Sequence, residues 1–259
     1  MILTEFDECK LGTFNPSDIQ TKIENFPKIA ISWFSQKLMD SFIEKFHPIE
    51  IAKLSNANGK TPIYKIQYKE TEIAVFLSRV GAPACVVSYE ELIAMGVEKL
   101  ILFGTCGVLD KKIEDLAIII PTSAVRDEGT SYHYMEESAE IEVNKKYTDL
   151  FEELLKQHNY PYIKGKTWTT DAPYRETRNK VAKRKEQGCL CVEMECSAMN
   201  AVAEFREKDL FQFFYAADNL DSAVWDSRSL GNQDRLTEKE KLIYLALELA
   251  VKIKEKEIK

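Results

Sequence analysis

No apolar run in the 259 residues approaches the roughly 18–20 that a membrane-spanning helix needs; the best are 100–103 and 116–120. The opening Met1-Ile2-Leu3-Thr4-Glu5-Phe6-Asp7-Glu8 is acidic and lacks the basic-then-apolar order of a secretory signal. There is no Cys-x-x-Cys pair among the six cysteines, and the three histidines (His47, His133, His158) are not paired at helical spacing, which argues against a metal site. Without a signal, the thiols read as reduced and the protein as cytoplasmic. Basic excess is missing too: 35 Lys and Arg stand against 42 Asp and Glu, a net charge of -7, so neither nucleic acid nor a membrane surface is an expected partner. Repeats, low-complexity tracts and Pro/Gly linkers are absent. What remains is an ordinary globular composition, 45% hydrophobic and 30% charged. A chain of this length buries roughly three quarters of its unfolded surface without disulfides. It reads as a single domain over 1–259, with 1–26 a weakly patterned N-terminal extension.

Beyond residue 27, strand-like and helix-like segments alternate. The pattern predicts strands at 28–34, 62–68, 72–77, 99–103, 116–120, 162–169, 189–193 and 210–217. Helices are predicted at 35–46 (Leu38, Phe42 and Phe46 on one face), 84–95, 145–157, 175–187 and 194–206. Gly96 fits the residue after a helix end. The last helix opens with the capping-box pattern Thr237-Glu238-Lys239-Glu240 and carries Leu242, Ala246, Leu249 and Ile253 on one face. Strands alternating with helices imply an α/β domain with helices packed on a buried sheet. Cys189 and Cys191, two apart on a strand, are expected on one face.

Several stretches can carry chemistry. Gly104-Thr105-Cys106-Gly107 follows an apolar strand and reads as a turn, either purely structural or one whose backbone N–H groups approach an anion. Two Gly-Lys-Thr tripeptides (59–61 and 165–167) lack the glycine five positions earlier that a phosphate loop needs, having Leu54 and Tyr160 there. Val192-Glu193-Met194-Glu195-Cys196 stands at a strand-to-helix junction. Its carboxylates either accept hydrogen bonds from sugar hydroxyls or lie solvated at a helix N-terminus. In Ala217-Asp218-Asn219 the aspartate is either an acid of raised pKa at a strand end or part of a turn. The polar, aromatic stretches 125–134 and 167–178 suit binding loops, and His133 has no identifiable nucleophile partner. The three tryptophans read as core or loop anchors.

Gly81-Ala82-Pro83-Ala84, Leu102-Phe103-Gly104-Thr105-Cys106-Gly107, Val192-Glu193-Met194-Glu195 and Ala217-Asp218 occur in one order, and the chain thereby resembles the hexameric purine nucleoside and uridine phosphorylase family from about Ile29 onward. The resemblance implies a three-layer αβα sandwich around a mixed, partly barrel-like β-sheet. It implies cleavage of a nucleoside's N-glycosidic bond, with phosphate as co-substrate, no metal or organic cofactor, and a homo-oligomer (dimer or hexamer) with sites near subunit contacts. Thr105 is then the phosphate-holding hydroxyl, with Cys106 and Gly107 near sugar or base. Glu195 is the acceptor for the ribose 2′ and 3′ hydroxyls, with Glu193 and Met194 beside it. Asp218 is the acid that protonates purine N7, which points to a purine. Tyr174 adjoins Pro173, where the family stacks an aromatic on the base.

The chain departs from the family's phosphate site. Leu102 stands where an arginine precedes the Gly-Thr pair, and Ser32-Trp33-Phe34-Ser35-Gln36 stands in place of a Gly-Asp-Pro-x-Arg loop. Residues 55–58 contain no arginine for a neighbouring subunit to lend, and the N-terminal histidine a neighbour offers to the sugar has no counterpart. Losing one such donor typically costs about 3–4 kcal/mol. Either Arg79, on the loop before Gly81, or another of Arg126, Arg175, Arg178 and Arg228 holds the anion, or water replaces phosphate and the protein is a nucleosidase. A non-catalytic nucleoside-binding relative is the third alternative.

Overall fold

The computed structural model describes residues 2–57, 59–230 and 235–258. After a single turn α1 (Pro16–Ile19), the order is β1 (Ile29–Trp33), α2 (Gln36–Phe46), β2 (Ile49–Asn56), β3 (Gly59–Tyr68), β4 (Thr71–Leu77), α3 (Ala82–Met95), β5 (Lys99–Val108), β6 (Ile118–Asp127), β7 (Glu140–Glu142), α4 (Thr148–Gln157), β8 (Tyr162–Thr170), α5 (Arg178–Glu186), β9 (Cys189–Glu193), α6 (Cys196–Phe205), β10 (Asp209–Asn219) and α7 (Leu236–Ile258). No helix among the described residues is long and apolar enough to cross a membrane.

Strands β1 and β5 are apolar on both faces because both faces are covered, as parallel strands require. Ile29, Ile31, Trp33, Ile101 and Phe103 meet α2, α4 and α7 on one side. Ala30, Leu100 and Leu102 meet α3 and α6 on the other. That alternation builds the three layers, helices on each side of the sheet.

The sheet runs β10-β6-β8-β9-β5-β1-β4-β3-β2, and β10 also pairs with β5, so β5, β9, β8, β6 and β10 close into a five-stranded ring. The fold is therefore the α/β sandwich with a partly barrel-like sheet that the resemblance implies. β5 is the shared staple. One edge pairs with β10 from Lys99 to Val108. Its other edge pairs with β1 as far as Phe103, then with β9 from Gly107. Between those registers β1 and β9 part company, and a crevice opens at the carboxyl ends of the strands, the usual ligand position in open α/β sheets.

Several boundaries differ from the sequence reading. The Gly104–Gly107 stretch is no turn but the second half of β5. Its glycines answer to crowding: a Cβ at Gly104 would lie 2.7 Å from the Phe34 ring, and one at Gly107 would meet Leu220 and the Asp218 carboxylate. Glycine inside a strand marks such close approaches. The strand expected at 116–120 starts at Ile118, after Leu116 at φ 64, and continues to Asp127. β2 carries no clear alternation, with Leu54 its one buried residue, and the pattern missed it. The helix expected over 145–157 begins at Thr148, since Asn144 and Tyr147 take left-handed conformations. The 175–187 helix divides into a 3-10 turn, Pro173–Arg175, and α5, whose first turn is capped by Thr177. The last helix has already begun at Leu236, so Thr237 lies inside its first turn. Finally, β9 carries an extra residue opposite the Lys166/Thr167 step of β8. That bulge sends Cys189 and Cys191 into different clusters, not onto one face.

Candidate active site

Gly81 takes φ 96, which a side chain rarely adopts, and from there α3 starts with Pro83 in its first turn. This places the Gly81 N–H 2.6 Å from Glu195 Oε1. Glu195 itself stands at the start of α6. Burial first, and the neighbouring Glu193 charge second, push its carboxyl up to about 8. Glu193 is spent on the protein: Oε2 accepts from the N–H groups of Glu195 (2.8 Å) and Cys196 (2.7 Å). Its Oε1 accepts from the hydroxyls of Thr169 (2.6 Å) and Thr167 (3.3 Å). These bonds satisfy orphan donors at the N-terminus of α6 and fix Glu195. A second buried tie holds that turn, with Ser197 donating to Glu128 at 2.9 Å. Burial still pushes Glu193 up to about 7.

Across the crevice, β10 bulges between Ala216 and Asp218 opposite β5. The added residue re-aims Asp218 over Gly107, where a Cβ would stand 3.2 Å from its Oδ1. Burial raises the Asp218 carboxyl above its ordinary range, while the Trp225 indole N–H, 2.8 Å from Oδ2, pulls it partly back. Asp218 is thus the last residue but one of a strand, not part of a turn.

The carboxylates share one cavity of about 710 Å³. Of the residues singled out in the sequence, Thr105, Cys106, Gly107, Tyr174, Glu193, Met194, Glu195 and Asp218 line it. Tyr174 is almost fully exposed, at 99%. Cys106 turns its thiol to the core, towards the Tyr215 carbonyl. Arg79 is not in the lining; its guanidinium reaches the Thr61 hydroxyl at 3.4 Å. Arg126 is consumed by Ser131, Ser138 and the carbonyls of Met135 and Glu136. Arg228 is tied to the Ile113 carbonyl at 2.8 Å, and neither it nor Arg175 lines the cavity, whereas Arg178 does. His133 is exposed at the end of a 3-10 turn, outside the lining.

Sequence reasoning missed Phe34, Glu176 and Trp225. Phe34 lines the cavity, its ring against Gly104. Leu102 is fully buried in the α3/α6 cluster, and Ser32 is turned to Phe76 and Ser78. Glu176 is half-buried, and burial together with the Asp218 charge pushes it up to about 7. Trp168 and Trp33 are core residues, but Trp225 is 60% exposed at the cavity wall. Among the described residues, the lining therefore holds the carboxylates of Glu176, Glu193, Glu195 and Asp218 and the single guanidinium of Arg178.

A strand-end crevice in an αβα sandwich, with a buried carboxylate beside a helix start and an acid facing it, is a candidate small-molecule site with the groups for acid–base chemistry. The chain belongs to the phosphorylase superfamily, whose family model matches residues 28–247. It is 28% identical over 193 residues to a guanosine phosphorylase of Halorubrum lacusprofundi, covering 73% of this chain and 78% of that protein. A DeoD-type purine nucleoside phosphorylase of Shewanella oneidensis is 25% identical over 189 residues, 72% of this chain and 78% of that one. The crystal structure of uridine phosphorylase from Vibrio fischeri superposes with a TM-score of 0.75 at 18% identity, covering 90% of this chain and 95% of that one, a likeness of fold.

Proposed function

We propose that the protein is a nucleoside phosphorylase, a pentosyltransferase that cleaves the N-glycosidic bond of a purine nucleoside with phosphate, giving free base and ribose 1-phosphate. One observation carries this reading: Glu195 and Asp218 line the same nucleoside-sized cavity in a phosphorylase-superfamily chain. Glu195 receives the ribose hydroxyl protons and gains most as positive charge develops on the sugar, so it binds the transition state better than the ground state. Asp218, whose carboxyl burial raises above its ordinary range, donates to the departing base. Thr105 offers a hydroxyl to phosphate, and Arg79, whose tie to the Thr61 hydroxyl is long at 3.4 Å, supplies the cation by turning into the cavity. Tyr174 and Met194 cover base and sugar.

Val80, Tyr174, Val224 and Trp225 stand exposed, the first two and Trp225 in the cavity lining, which fits a homo-oligomer whose sites lie near subunit contacts. Five buried, unpaired cysteines fit a reducing cytoplasm. The test is Asp218→Asn, which should lower kcat for a purine nucleoside roughly 100-fold or more. Unchanged cleavage would remove Asp218 from the mechanism.

Hydrolysis is the second reading, favoured by the lining's charge among the described residues: four carboxylates and one arginine, with Phe34 lining the cavity from the stretch that stands in place of the family's phosphate loop. Such a cavity repels a dianion and tolerates water. Free ribose formed at a rate indifferent to phosphate would establish it.

A further inference from the structure

Glu176 has no role in the scheme above, although it faces the same cavity as Asp218. Its carboxylate has no hydrogen-bond partner in the protein among the described residues, and it is buried enough that leaving it unpaired is unfavourable. It sits between the 3-10 turn at Pro173–Arg175 and the start of α5, whose first residue, Arg178, lines the cavity too and donates to the Ala223 carbonyl. An acceptor and a donor thus stand two residues apart on one wall, beside the acid assigned to the base.

An ionised carboxylate accepts only, and it is best satisfied by two N–H donors side by side. Among the common nucleobases guanine alone presents such a pair, its ring N1–H and its 2-amino group, with the exocyclic oxygen next to them free for a guanidinium. Hypoxanthine offers one of the two donors. Adenine offers an amino group beside a bare ring nitrogen, whose lone pair repels a carboxylate, and uracil flanks its single N–H with two oxygens.

We propose that Glu176 reads the base, taking guanine's N1–H and 2-amino protons on its two oxygens, and so makes the cavity selective for guanine nucleosides. This rests on the nucleoside reading of the site. It differs from the role of Asp218, which serves the leaving-group step for any purine. The glutamate also explains why a cavity short of cations carries an additional carboxylate: its charge is directed at donors on the base, not at the sugar.

The test is Glu176→Gln, with kcat/KM measured for guanosine, inosine and adenosine, and calorimetric binding of guanosine and inosine to the wild type and the variant. Hydrogen bonds to a charged partner are worth about 10- to 100-fold each. Wild type should prefer guanosine to inosine by at least tenfold. The variant should lose guanosine by about 100-fold and inosine by less, and it should gain adenosine, because a glutamine amide matches adenine's donor and acceptor. Glu176 lies on a half-exposed loop, and an unchanged melting temperature would show that the variant folds. Equal losses on all three nucleosides, or an unchanged guanosine-to-inosine ratio, would overturn the assignment while leaving nucleoside cleavage intact. Should no nucleoside be cleaved, the functional reading fails separately. The calorimetric preference for guanosine over inosine, and its loss in Glu176→Gln, then decides this proposal alone.

Discussion

Replacing Glu195 with glutamine should stabilise the protein at high pH while damaging its chemistry. Its carboxyl sits at about 8 in the fold against 4.5 ordinarily. Between those values the folded state keeps a proton that the unfolded chain has released, so stability falls as pH rises through that window. Each pKa unit is worth about 1.4 kcal/mol, and the full window amounts to roughly 4–5 kcal/mol once pH passes 8. Glutamine cannot ionise, yet it keeps an oxygen for the Gly81 N–H that Glu195 accepts at 2.6 Å. Thermal melts from pH 5 to pH 9 should show the two proteins nearly equal at the acid end. At pH 9 the variant should melt about 10 °C higher, taking 2–4 °C per kcal/mol for a chain of this size. Base release at pH 9, where Glu195 is ionised, should meanwhile drop roughly 10- to 100-fold, because the sugar hydroxyls lose a charged acceptor. Parallel melting curves at every pH would refute the reasoning: Glu195 would then be ionised in the fold at no cost, and the site would not hold it poised for a sugar.

Four further outcomes follow from the same geometry. Trp225→Phe removes the indole N–H that holds the Asp218 carboxylate down, so the Asp218 carboxyl should rise and the alkaline limb of the kcat profile should move to higher pH. Gly107→Ala forces a Cβ to within 3.2 Å of Asp218 Oδ1 and 2.4 Å of Leu220, and should cut turnover far more than binding of free base, read by calorimetry. Phe42→Ala, emptying a fully buried ring that packs on Trp33 at 5.4 Å, should cost about 3–5 kcal/mol in urea unfolding without changing KM. Arg79→Ala should raise the KM for phosphate and spare the KM for nucleoside, in steady-state assays with each substrate varied; an unchanged phosphate KM would leave the anion to other groups.

The layers of the fold were legible because covered parallel strands are written as uninterrupted apolar runs, as at 99–103, and because helices such as α2 carry one apolar stripe. The junction at Glu193–Cys196 was legible for a related reason, since a short apolar strand running directly into a helix has to place its carboxylates at that helix's first turn. Less could be read where tertiary neighbours decide the outcome. Gly104 and Gly107 look like turn residues until Phe34 and Asp218 are seen pressing on them. The division of labour between Glu193 and Glu195 was equally hidden. Both carboxylates follow the same strand, and only the hydroxyls of Thr167 and Thr169 on β8 and the first N–H groups of α6 claim the former for the fold. Glu176 lay in the 167–178 stretch read as suiting a binding loop, but nothing singled it out there, because the course of that stretch depends on a 3-10 turn and on where α5 begins. Arg79 shows the converse: sequence position brings it to the right loop, while its rotamer takes it to Thr61.

The central claim is that this cavity breaks a nucleoside's glycosidic bond with phosphate as the acceptor. It is tested most directly by incubating the protein with purine nucleosides and uridine, with and without phosphate, and identifying both base and sugar. The account predicts release of a purine base that depends on phosphate and is matched by ribose 1-phosphate. Free ribose released at a rate indifferent to phosphate, or no release of any base under either condition, would contradict it.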